Sequence, residues 1–242
     1  PLLTSSDEPL NKQIIQHTAE KIQEKMQVSH DFAQKLAKWH KDSHELTKNA
    51  DGTPKVFYHG SGADNITIFD KAKDETGLGF WFSGDKDFAE NYHKFGGKKY
   101  ETFLHIKKPL DLSPQSNLKE ADFTRIFGKD FVDEIKNYRN GEFYEPKDYG
   151  KILANYPYTQ EAKDFIDKIK KAGYDGIFSQ KALKDCVVVF DSNQIKAIDN
   201  KGTFDSSNPN IYHANTTLGG GVLGGSVAGL EYDENGNIKG FS

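Results

Sequence analysis

From Asn11 to Met26 the apolar residues Ile15, Ala19, Ile22 and Met26 recur at spacings of four, three and four, which draws one stripe along a helix. A second helix comes next, with Ser29 as its cap and Phe32, Leu36, Trp39 and Leu46 as its apolar face, ended by Asn49-Ala50-Asp51-Gly52 and Pro54. The pair is expected to pack in cis on the main domain rather than to project as a docking arm. His40 and His44 stand one turn apart, and an exposed helix face accounts for them better than a metal does.

Past Pro54 the period changes. Short β-rich runs separated by glycines, Val56–His59, Ile66–Phe69, Phe80–Ser83 and Tyr100–Ile106, predict an antiparallel sheet region. A helix fits between Asp85 and His93, with Phe88, Ala89 and Tyr92 on one face and Asp85 in the capping position. Pro109–Leu112 closes this half. Residues 113–158 carry no sharp signal beyond helical patches around Phe123–Tyr138 and read as a variable insertion. Thr159 then caps an amphipathic helix whose Ala162, Phe165, Ile166 and Ile169 form the buried stripe, with Gly173 at its C′ position. Two strands come after it, Tyr174–Phe178 and Cys186–Phe190, and the unbroken valines of the second imply burial on both faces. The organisation expected is a helical N-terminal extension over 1–53, an α+β domain over 54–200, and a Gly-rich tail or linker over 201–242.

Composition works by exclusion. The formal net charge of −4 argues against a generic nucleic-acid binder, although a nucleic acid as substrate stays open. A single cysteine, Cys186, rules out an internal disulfide framework and a cysteine zinc cluster, and a reducing compartment fits best. No run approaches the ~20 apolar residues that cross a bilayer, so no membrane partner is expected. The chain starts at Pro1 and stops after a turn-like Asp233–Asn237, and is expected to be a piece of something longer that would carry any targeting signal. Neither a G-x-G-x-x-G opening a helix nor a G-x-x-x-x-G-K-[ST] is present, so the common routes to nucleotide binding are absent.

What stands out instead is an ordered set: Tyr58-His59-Gly60-Ser61, Gly77-Leu78-Gly79-Phe80-Trp81-Phe82-Ser83, Ala89-Glu90-Asn91-Tyr92, and Cys186 to Ile195 with its valine run, Asp191 and Gln194. From Pro54 to Ile198 this set resembles the ADP-ribosyltransferases of the diphtheria toxin and poly(ADP-ribose) polymerase type. The likeness is greatest to the ADP-ribosyltransferase domains of phage and mobile-element polyvalent proteins. The resemblance implies that His59 hydrogen-bonds a ribose hydroxyl of NAD+ and that the Gly60 backbone grips the nicotinamide amide, with Ser61 beside it. It implies that Trp81, in the segment with Phe82 and Ser83, lines one side of the nicotinamide and Tyr92 the other.

The physical logic stands beside the likeness. A planar, cationic nicotinamide is well held between two aromatic faces, each worth about 0.5–2 kcal/mol. Breaking its glycosidic bond creates an oxocarbenium-like ribose, which calls for fixed dipoles and a negative group rather than a metal. At that last position the sequence departs from the family. Aligning the terminal strand puts Cys186 where the family carries its catalytic Glu, and a thiol does not replace a carboxylate. Asp185 is the neighbouring acid, but strict alternation sends it to the opposite face unless a bulge reorients it. Cys186 itself reads as a small buried strand residue before it reads as a nucleophile.

The resemblance thus implies an α+β fold with an ADP-ribosyltransferase-like split β-sheet core, expected as two roughly perpendicular antiparallel sheets, behind an N-terminal helical hairpin. It implies NAD+ as co-substrate, no metal, and a macromolecular acceptor, a protein in preference to a nucleic acid. The setting implied is a phage or mobile-element effector or toxin in the cytoplasm of a bacterium or target cell. Two other readings stay open: an NAD+ glycohydrolase with water as acceptor, and a catalytically silent NAD+-binding or interaction module.

Overall fold

The computed structural model describes residues 7–74, 77–90, 97–138, 160–181, 184–212, 230–232 and 238–241. Helices α1 (Asp7–Met26) and α2 (His30–His40) form the expected hairpin. The chain turns between them at Gln27, whose φ of 55° is left-handed, and Ser29 caps α2 by accepting from the Phe32 amide at 3.2 Å. The predicted stripes meet: Ala19 and Ile22 pack with Ala33, Leu36, Ala37 and Trp39, and Phe103 of the sheet completes this core. The hairpin therefore packs in cis.

Two expectations for this region need correction. The second helix stops at His40, and Leu46 lies in a separate 3-10 turn, Glu45–Thr47, where the His44 ring accepts from the Leu46 amide at 3.3 Å. His40 is not on an exposed face. It is 2% exposed and its Nε2 bonds the Leu104 carbonyl at 3.1 Å. A carbonyl oxygen only accepts, so Nε2 carries the proton, and the imidazole ties α2 to the sheet.

The strands β1 (Phe57–Ser61), β2 (Phe80–Ser83), β3 (Lys98–Leu104), β4 (Pro109–Asp111), β5 (Gly176–Lys181), β6 (Lys184–Val189) and β7 (Ile195–Ala197) form one sheet, ordered β4-β5-β6-β2-β1-β3-β7. The two separate sheets expected are joined, and the split survives as a seam. β1 matches β3 through five residue pairs and β2 matches β6 through four, whereas β1 meets β2 at the single pair Tyr58 and Ser83. The sheet is also not wholly antiparallel, because β4 runs parallel to β5. Parallel neighbours require a long crossover, and the 113–158 segment with the helix after it supplies one.

Val187, Val188 and Val189 of central β6 are at most 1% exposed, which is the two-faced burial their sequence predicts. Val188 faces a core shared with Ile177, Phe123 and Phe127, whereas Val187 and Val189 face one shared with Phe57, Phe80 and Phe82. The first core is roofed by α4 (Glu120–Phe127), α5 (Lys129–Tyr138) and α6 (Gln160–Lys171), with the rings of Phe127 and Phe165 stacked 4.4 Å apart. Gly173, at φ 86°, closes α6 as expected, with the Tyr174 amide returning to the Ile169 carbonyl. Thr159, its expected cap, lies outside the described residues. A short helix, α3 (Lys86–Glu90), comes after β2, and Asp85 caps it through the Phe88 amide at 2.7 Å.

The run Ile66–Phe69 is not a strand. It is a covering loop whose backbone is bound by other partners: the Ile66 amide by the Tyr100 hydroxyl, the Thr67 carbonyl by the Ile211 amide, and the Phe69 carbonyl by the Ser192 hydroxyl. With these groups satisfied off the ladder, its apolar residues need no strand neighbour. Ile211 is fully buried, so the packed unit continues to Tyr212. Beyond it, Leu230–Tyr232 and Ile238–Phe241 pair as β8 and β9. The Gly219–Gly225 run lies outside the described residues. No helix among the described residues is long and apolar enough to cross a membrane.

Candidate active site

Opposed residues of antiparallel strands project from the same face of a sheet. Trp81 opposes Val188, and Ser83 opposes both Cys186 and Tyr58, so these side chains share one face. Phe82 opposes Val187 on the other face, where alternation also puts Phe57 and His59. The seam between β1 and β2 lies where the two sets approach each other.

His59 spans that seam. Its Nδ1 donates to the Trp81 carbonyl at 2.7 Å, replacing a rung of the ladder where backbone pairing has ceased. Because a carbonyl cannot donate, Nδ1 holds the ring proton and Nε2 keeps a lone pair. Phe69 meets the imidazole edge-on with centroids 4.9 Å apart, and Phe82 lies at 5.3 Å. Burial among these rings pushes the imidazole pKa below its ordinary value, against the opposing pull of the carbonyl bond. The result is a neutral imidazole of fixed tautomer whose Nε2 is a hydrogen-bond acceptor.

Gly60 and Ser61 extend β1 past the last pair with β2, and both are half-buried. The Ser61 hydroxyl accepts from the Ala63 amide at 3.1 Å and turns the chain into the covering loop. Gly79 admits β2 into the sheet: its φ is 112°, its amide donates to Asp74 at 2.7 Å, and a Cβ there would stand 2.5 Å from the Val189 carbonyl. Only glycine fits that approach. Trp81 is half-buried against the first core, and its indole N–H is buried without an acceptor among the described residues.

The remaining sequence candidates separate. Phe82 is 2% exposed and supports the imidazole as a core residue. The Ser83 hydroxyl donates to the Asp185 carbonyl at 3.1 Å and accepts from the Asp85 amide at 3.0 Å, so it fastens β2 to β6. Cys186, 2% exposed, occupies the position beside Ser83. The β5–β6 register runs unbroken from Gly176 and Val189 to Lys181 and Lys184, with no bulge to turn Asp185 round. Its carboxylate lies on the face opposite Cys186 and 3.8 Å from the Lys55 ammonium. Tyr92 lies outside the described residues.

Several contributors were not singled out in the sequence. Phe69 shapes the imidazole pocket, Tyr100 pins the covering loop through Ile66 and Ala63, and Asp74 holds Gly79. Their only sequence signal is proximity to the glycine-rich runs, which does not identify the polar group each one meets.

The sequence model of one family, described as ADP-Ribosyltransferase in polyvalent proteins, matches residues 49–204. No curated protein matches the chain. Among solved structures, the crystal structure of an anti-CRISPR protein matches with a TM-score of 0.32 and 11% identity, over 59% of this chain and 92% of that one. A likeness that slight carries no weight for fold or function. The family match takes in the whole seven-stranded sheet and both sides of its seam, and the chain belongs to the ADP-ribosyltransferases of polyvalent proteins.

Proposed function

We propose that the chain transfers ADP-ribose from NAD+ to a macromolecular acceptor, a protein in preference to a nucleic acid, with release of nicotinamide. The observation that carries this reading is the neutral His59, locked by Trp81 in the tautomer that leaves Nε2 as an acceptor; in this reading Nε2 accepts from a ribose hydroxyl. In this reading the Gly60 backbone holds the nicotinamide amide at the open side of β1, with Ser61 shaping the turn beside it. Trp81 and Tyr92 cover the two faces of the ring. The bond between ribose C1′ and the nicotinamide nitrogen breaks with its electron pair moving to the ring, which leaves neutral. An acceptor nucleophile then bonds C1′ and gives up its proton.

A fixed negative charge near C1′ would stabilise the cationic ribose, and the position beside Ser83 offers a thiol. Asp185 is the candidate acid nearest to it in sequence, and Lys55 holds its carboxylate on the far face. A second reading, an NAD+-holding module without transfer, is favoured by this one feature. In the same reading the chain is a phage or mobile-element effector acting in the cytoplasm, and what supports this is its membership of a family of polyvalent proteins.

The test is nicotinamide release from NAD+ by the purified chain, with and without cell lysate, beside a His59→Ala control and a calorimetric titration with NAD+. Lysate-dependent release that His59→Ala abolishes supports transfer. Release that needs only water makes the chain a glycohydrolase. Binding without any release establishes the silent module.

A further inference from the structure

A cleft of about 500 Å³ lies between the helical hairpin and the sheet, and neither His59 nor Trp81 lines it. Ile22 and Met26 of α1 form one wall and Val56, Phe103 and Ile198 the other. Its volume falls in the range of ligand sites, about 300–1,000 Å³. The cleft reaches the closed end of the seam, because Tyr58 and Gly84 line it and Tyr58 pairs with Ser83. One wall comes from α1, which precedes the 49–204 family match, so the hairpin adds to the domain a concave surface that the matched residues alone do not make.

Two ammonium groups face this cleft, each with a carboxylate just outside its lining, Asp51 and Asp185. The formal net charge is −4, yet the lining includes Lys25 and Lys55 and, among the described residues, no acid. Lys25 is held in place by Asp51 at 3.1 Å and by the Thr53 hydroxyl at 3.3 Å. The Lys55 ammonium stands 3.8 Å from Asp185, beyond hydrogen-bond distance, and so retains donors for a second anion.

We propose that this cleft docks the acceptor protein, taking an apolar side chain on its floor and a neighbouring carboxylate at Lys25 and Lys55. The assignment as an acceptor site rests on the transfer reading above. The apolar walls supply the non-directional part of the affinity, and the two ammonium groups select an acidic segment over a basic one.

The test uses the full chain and two fluorescein-labelled synthetic peptides of equal length, one alternating leucine with glutamate and the other leucine with lysine. Fluorescence anisotropy is expected to show salt-sensitive binding of the acidic peptide and at least tenfold weaker binding of the basic one. Met26→Trp, which fills the cleft, is expected to weaken the acidic peptide at least tenfold. Lys25→Gln, which keeps a hydrogen bond to Asp51 but removes the charge, is expected to weaken it about fivefold. Equal binding of the two peptides, or unchanged affinity in a folded Met26→Trp and in Lys25→Gln, overturns the proposal. Titration with NAD+ completes the set: if Met26→Trp weakens NAD+ instead of the peptide, the cleft belongs to the co-substrate and the proposal fails. Peptide binding that behaves as expected, in a chain that never releases nicotinamide, upholds the docking site and overturns the transfer reading alone.

Discussion

The imidazole of His59 donates to the backbone carbonyl of Trp81 across 2.7 Å, at the point where β1 and β2 stop pairing. One bond therefore closes the sheet, sets the tautomer and aims the free nitrogen. His59→Ala leaves a carbonyl without its donor and is expected to cost about 1–3 kcal/mol of stability, read from urea unfolding. His59→Asn retains a donor for that carbonyl but offers no equivalent of Nε2. It is expected to keep more of the stability while losing nicotinamide release about 100-fold, so activity and stability part between the two variants.

Gly79→Ala tests the entry of β2. The added Cβ would stand 2.5 Å from the Val189 carbonyl in a backbone with φ of 112°. The expected loss is about 2–4 kcal/mol, seen as a lowered Tm. A melting point equal to that of the parent chain would show that β2 and β6 do not approach so closely.

Cys186→Glu places a carboxylate on the face shared with Trp81 and Ser83. Nicotinamide release is expected to rise about 100- to 1000-fold, the usual worth of one preorganised transition-state contact. Burying the new acid is expected to lower stability at neutral pH. If Asp185→Ala instead abolishes the parent activity, Asp185 supplies the charge despite its place on the far face.

Acid should loosen the hairpin. Burial lowers the His40 pKa from 6.5 to about 3, with the Lys48 and His105 charges adding to the effect. The unfolded chain therefore binds a proton that the folded chain refuses between those values. The stability this neutral imidazole allows is fully present above pH 6.5 and declines as the pH falls toward 3. At pH 4 the loss from His40 is about 3 kcal/mol, and burial of His59 and His105 acts in the same direction. Urea midpoints at pH 7 and pH 4 measure it, and His40→Gln is expected to reduce the difference between them.

The stripes of α1 and α2, the valines of β6 and the closing Gly173 were legible because each expresses a local period or a single backbone angle. The Ile66–Phe69 run was not, since its apolar alternation suits a strand and nothing local reveals that Tyr100, Ile211 and Ser192 satisfy its backbone. His40 likewise reads as a surface histidine until β3 brings the Leu104 carbonyl to it. In the candidate site, the order of His59, Gly60 and Trp81 was visible in the chain. The separate duties of Phe82 in the core and Ser83 in fastening β2 to β6 were not, because adjacent residues of one strand face different neighbours.

By itself the sequence determined the two helices of the hairpin and their buried stripes, the central strands β1, β2 and β6, and, through its ordered motifs, the family to which the chain belongs. Only the tertiary structure decided that β1 and β2 meet at one pair, that His59 fills the opening, that Asp185 is turned toward Lys55, and that α1 walls a cleft at the seam's closed end. The reason is physical. Burial periodicity is written within a dozen residues of chain, whereas the partner of a polar group is chosen by residues far apart in sequence that only packing brings within about 3 to 4 Å.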